Sequence, residues 1–124
     1  MGISVAHYDM VFLKPIDEDL LRKVATKFKQ IITVENGVIK GGLGSAVLEF
    51  LGENHFTDVQ VHRIGIPDEF ITHGSIKELQ QIAEIDEEGI LRQIVKQYHS
   101  IRNDQTDAES TPDPVNPIEL IHNR

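Results

Sequence analysis

Gly41-Gly42-Leu43-Gly44-Ser45 lies between a β-branched run, Ile31-Ile32-Thr33-Val34 with Glu35-Asn36-Gly37 at its end, and an apolar segment over residues 45–51. A connection this rich in glycine allows backbone conformations and close approaches that other residues forbid, which constrains the chain to a strand–turn–helix unit of α/β type. Two roles for the turn are open: it could present helix N-terminal amides to an anion, or it could let strand and helix pack closely. The dinucleotide fingerprint needs a third small residue three positions after Gly44, where Val47 stands, and the Gly-Lys-Ser/Thr tripeptide of phosphate loops does not occur in the sequence. Both nucleotide templates fail, so close packing is the favoured role.

The flanking sequence extends the α/β pattern. Residues 3–8 alternate as a strand does. Asp17 suits a helix N-cap and is followed by Glu18 and Asp19, whose charges favour the positive end of a helix. Leu20, Leu21, Val24, Ala25 and Phe28 then recur on one face. A strand over 30–34 follows, and two strands joined by a helix imply parallel pairing. Val59, Val61 and Ile64 mark a third strand, which Pro67 ends because proline lacks the ladder donor. Ser75-Ile76-Lys77-Glu78 is a capping box for a short helix to about residue 84, and Asp86 caps another with Ile90, Leu91, Ile94, Val95 and Tyr98 as its buried stripe. The expected fold is a three-layer α/β domain, a mainly parallel sheet with flanking helices.

Beyond Arg102 the character changes. Residues 103–116 carry Asp104, Asp107, Glu109 and Asp113 with Pro112 and Pro114 and show no periodicity. The expected organisation is a folded domain over 1–102 and an acidic, proline-containing, disordered tail over 103–124. Within that tail, Ile118, Leu120 and Ile121 regain apolar character and could dock on a neighbour. The net charge of −8, without a clustered basic face, argues against nucleic acid as a partner. No stretch approaches the roughly 20 apolar residues that span a bilayer, so a membrane is not expected as a partner. The chain has no cysteine, hence no disulfide framework, thiolate metal site or cysteine nucleophile, which fits a cytoplasmic location.

Few residues suggest chemistry. The six histidines, His7, His55, His62, His73, His99 and His122, form no metal-binding spacing with carboxylates, although His62 and His73 could converge in space. Ser45 lacks the flanking glycines of a nucleophile elbow and reads as a helix-start residue. Glu35, ending a buried strand at the carboxyl edge of a parallel sheet, stands where α/β proteins place ligands. It could act as an acid or base, or accept hydrogen bonds from the amides of the glycine loop. With no partner base, nucleophile or cofactor motif in the sequence, the structural role is favoured.

Several motifs occur together in order: Phe12-Leu13-Lys14-Pro15-Ile16-Asp17, Thr33-Val34-Glu35-Asn36-Gly37, Gly41-Gly42-Leu43-Gly44-Ser45-Ala46, Ile64-Gly65-Ile66-Pro67-Asp68, Phe70-Ile71-x-His73-Gly74 and Asp86-Glu87-Glu88-Gly89-Ile90. The series resembles the carboxyl-terminal domain of the 1-deoxy-D-xylulose-5-phosphate synthases, thiamine-diphosphate enzymes of the transketolase superfamily. The resemblance covers about residues 2–101. It departs at Val11, where the family usually has arginine, and at Glu84-Ile85-Asp86, where it has Gly-Leu-Asp.

The resemblance implies a transketolase carboxyl-terminal-like fold, here partial, because the family's first strand and helix would precede the segment matching Gly2-Ile3-Ser4-Val5. It implies a parent enzyme, dimeric and cytoplasmic, that condenses pyruvate with glyceraldehyde 3-phosphate in isoprenoid precursor synthesis. Thiamine diphosphate and magnesium in the parent are held by other domains. No catalytic, cofactor-binding or metal-binding residue is therefore carried over, and this segment alone is expected to be inactive. Its implied role is domain and subunit association, with the remainder of the parent or a second copy of itself as partner. Two alternatives stand beside it. One is a partner-binding module like the carboxyl-terminal domain of a 2-oxo-acid dehydrogenase β subunit. The other is a small anion-binding enzyme that uses Gly41, Gly42 and Gly44.

Overall fold

The computed structural model describes residues 5–10, 13–68, 76–106 and 118–123. In chain order these form β1 (Val5–Asp9), α1 (Glu18–Lys27), β2 (Gln30–Val38), α2 (Leu43–Glu53), β3 (Gln60–Ile66), α3 (Ile76–Ile82), α4 (Glu87–Thr106) and β4 (Ile118–Asn123). The strands make one parallel sheet in the order β1-β4-β2-β3.

Local signals account for most of these elements. Asp17 caps α1 by accepting a hydrogen bond from the Leu20 amide at 3.0 Å, and Glu18 and Asp19 occupy the first turn. Asp86 does the same for α4, accepting from the Gly89 amide at 3.1 Å. Lys29 hydrogen-bonds the Asp58 carboxylate at the entries to β2 and β3, and this partner holds Asp58 below the usual carboxylate range.

The successive isoleucines of β2 face opposite ways, as a strand requires. Ile31, with Ile121 of β4, packs under α1 and α2 against Leu21, Val24, Phe28, Val47 and Phe50. Ile32 packs with Ile64 of β3 against Ile85, Ile90, Ile94 and Tyr98 on the other face. The sheet is thus covered on both sides, the three-layer arrangement that parallel pairing needs. Each such aliphatic side chain removed from water contributes about 1.5–3 kcal/mol.

Three expectations are corrected. α4 continues to Thr106, and residues 118–123 are not tail but a strand inside the sheet, with Ile121 fully buried; residues 107–117 lie outside the described ones. The physical reason is that β4 offers both backbone edges to ladders, with β1 and with β2, and carries an apolar side chain into the core. In consequence β1 and β2 run in the same direction but are not paired, because β4 stands between them. Leu91 does not join the buried stripe of α4: it is 60% exposed, while Ile90, Ile94 and Tyr98, four residues apart, make the contact. The Ser75 part of the expected capping box lies outside the described residues.

Candidate functional site

The glycine turn connects β2 to α2. Gly41 takes φ +76°, a conformation L side chains rarely adopt, and Gly42 is the N-cap of α2. Gly42 has no side chain to cap the helix, and Glu35 supplies one from the strand: its Oε2 accepts the Leu43 amide hydrogen bond at 2.5 Å. The Glu35 side chain is buried, 4% exposed, and it lies at the positive end of α2, where a carboxylate is favoured. A β-carbon on Gly65 would also crowd it, at 2.9 Å from Glu35 Cγ. Two glycines from different elements therefore make the recess that holds this carboxylate.

The first turn of α2 is tied down by a second set of bonds. Ser45 Oγ accepts from the Gly41 amide at 3.0 Å and donates to the Ile39 carbonyl at 3.2 Å. Arg63 on β3 donates from Nη1 to Ser45 Oγ at 3.2 Å and to the Ile39 carbonyl at 3.4 Å. Gly44 lies over Arg63 and Thr33, where a β-carbon would come within 2.5 Å and 2.8 Å of their side chains. Gly41, Gly42, Gly44, Ser45 and Glu35 thus gather in one cluster at the turn, held by two separate sets of hydrogen bonds and by the close packing at Gly42 and Gly44. Arg63 and Gly65, its remaining members, were not distinguishable in sequence, since they act only through the β2–β3 pairing.

A cavity of about 300 Å³ opens beside the same sheet edge. It is lined by the apolar Val34, Ile85 and Ile90 and by the polar Glu35, Asn36, Gln80 and His122. The histidines are placed separately. His7 and His122, 115 residues apart, stack with ring centroids 4.4 Å apart and join His7 Nε2 to His122 Nδ1. His62 is on β3, His99 is on α4, His55 follows α2 with φ +60°, and His73 lies outside the described residues.

The cluster does not fit the diphosphate of a thiamine cofactor. The helix end that would receive an anion already faces the Glu35 carboxylate, which would repel it. Among the described residues no group of three or more His, Asp or Glu side chains is gathered as for a metal ion, and no helix is long and apolar enough to cross a membrane.

Comparison with known proteins agrees with this architecture. The family model "Transketolase, C-terminal domain" matches residues 1–90. A 1-deoxy-D-xylulose-5-phosphate synthase of Parabacteroides distasonis is 58% identical over 95 residues, covering 77% of this chain and 15% of the relative. The synthase of Phocaeicola vulgatus is 53% identical over 94 residues, 76% of this chain and 15% of the relative. That of Listeria welshimeri is 41% identical over 104 residues, 82% of this chain and 16% of the relative. The chain thus spans only 15–16% of the length of these curated relatives. With a parallel sheet, flanking helices and a family match over most of its length, the chain belongs to the transketolase C-terminal domain family.

Proposed function

We propose that this domain is an association module of a 1-deoxy-D-xylulose-5-phosphate synthase: it holds domains and subunits together and supplies no ligand to thiamine diphosphate or magnesium. The observation that carries this reading is the Glu35 carboxylate on the α2 N-terminus. It fills internally the position at which a glycine loop of this kind would take a phosphate. The outer edge of the sheet supports the association role. β1 pairs with β4 on one side and has no strand on the other among the described residues, which leaves backbone donors and acceptors for a neighbour. The parent reaction, condensation of pyruvate with glyceraldehyde 3-phosphate, belongs to the assembled enzyme.

The test is reconstitution. The full chain is mixed with a relative synthase truncated before the matched segment, and complex formation and product are measured together. A stable complex whose activity requires both polypeptides is expected. Product formation by this chain alone, or no complex at any concentration, would overturn the proposal.

A further inference from the structure

The residues matched by the family model, 1–90, contain β1, β2 and β3 but not β4. Taken without β4 they leave a gap one strand wide in the middle of the sheet, because β1 and β2 are joined only through it. Such a gap does not stand open. Both of its edges carry backbone donors and acceptors that must be paired when buried. Ile121 of β4 also completes the core beneath α1 and α2, so an empty slot would hollow that core.

β4 is the last of the described elements and is joined to α4 through residues 107–117. It can therefore leave its slot and return without unthreading another strand. Its sequence is poorly matched to the place it holds. A strand with parallel neighbours on both sides usually reads as a near-continuous apolar run, as Ile31-Ile32-Thr33-Val34 of β2 nearly does. Ile118-Glu119-Leu120-Ile121-His122-Asn123 is instead polar at Glu119, His122 and Asn123, and Glu119 stands in register between Ala6 and Ile31.

We propose that the slot between β1 and β2 is a strand-exchange site: it takes a parallel, β-branched apolar strand from another polypeptide, and β4 is the chain's own occupant, which that strand displaces. Ladders to both β1 and β2 supply the affinity, where the outer edge of β1 offers only one. Side chains that alternate between the two faces supply the selectivity, as Ile121 does beneath α1 and α2 and His122 does beside Val34 and Ile90. A strand of the same six-residue length but apolar at the positions of Glu119 and His122 fits better than β4. The exchange gives a surface to the association role proposed above and rests on that reading.

The full chain, isotopically labelled, is titrated with a peptide of residues 118–123 carrying Glu119→Val and His122→Val, with added lysines for solubility, and followed by nuclear magnetic resonance and amide hydrogen exchange. Saturable binding is expected in which the His7 and His122 rings lose their mutual contact. Amides 118–123 of the chain should lose protection while those of β1 and β2 keep theirs. The same peptide with proline at the position of Leu120 lacks a ladder donor and should bind at least about tenfold more weakly. Two variants of the chain set the competition, since apparent affinity falls with the fraction of chains whose slot is free. Glu119→Val makes β4 a better occupant and should weaken peptide binding about fivefold. Ile121→Ala loosens β4 and should strengthen binding, and the peptide should raise the melting temperature of this variant, or refold it if it is unfolded alone. No saturable binding, binding that leaves amides 118–123 protected, or the same response from both variants would overturn the exchange. A dimer of the chain that swaps β4 between copies would overturn the assignment to a different polypeptide. Reconstitution with the truncated synthase reports association separately: a complex in which amides 118–123 stay protected keeps the association role and overturns the exchange.

Discussion

Glu35 occupies the space that a side chain on Gly42 would need: a β-carbon built on Gly42 would lie 2.0 Å from Glu35 Oε2. The two residues act as one device. The missing side chain lets a buried carboxylate from the strand reach the Leu43 amide and cap a helix that has no cap of its own. The turn is therefore a closed structural joint between β2 and α2.

Gly42→Ala should destabilise the domain by on the order of 2–3 kcal/mol, because the carboxylate must leave its place. Gly52 supplies the control: a β-carbon there meets nothing within 4 Å. Gly52→Ala, in α2, should stabilise by about 0.5–1 kcal/mol. Urea unfolding measures both, and an unchanged midpoint for Gly42→Ala would contradict the joint.

Glu35→Ala removes the acceptor and leaves the Leu43 amide unpaired, at a cost of about 1–3 kcal/mol. It also vacates the space that Gly42→Ala requires. The double variant should therefore lose less stability than the sum of the singles, with a coupling of about 1 kcal/mol or more. Strict additivity in a double-mutant cycle would show that the two residues do not share that space.

Ile121→Ala should cost about 2–5 kcal/mol, the range for emptying a packed core position, since Ile121 is fully buried between β1 and β2. Leu91→Ala, at a 60% exposed position, should change stability by no more than about 0.5 kcal/mol. Thermal or urea unfolding distinguishes the two. Equal, small effects would mean that β4 is not part of the core.

The parts of the fold legible in sequence were those set by near neighbours. Asp17 announces α1 by its own chemistry and the acids after it, Ile31 to Val34 announce β2 by β-branching, and the glycines announce the turn. The role of Glu35 could be framed because it lies within eight residues of the amide it meets. The position of β4 could not: the acidic, proline-containing stretch before it dominates the local composition, and strand order is decided by long-range pairing. The same limit applies to His7 and His122, which meet only because β1 and β4 are neighbours, and to Arg63, whose link to Ser45 depends on β3 lying beside β2. Leu91 was misplaced because a five-residue apolar set on a helix is wider than the contact one sheet can make.

The most direct test of the central claim, that the glycine loop is closed by its own carboxylate and offers no cofactor site, is calorimetric titration of the full chain with thiamine diphosphate and magnesium. Heats no larger than those of dilution are expected. A saturable one-to-one isotherm at micromolar concentration would contradict the account.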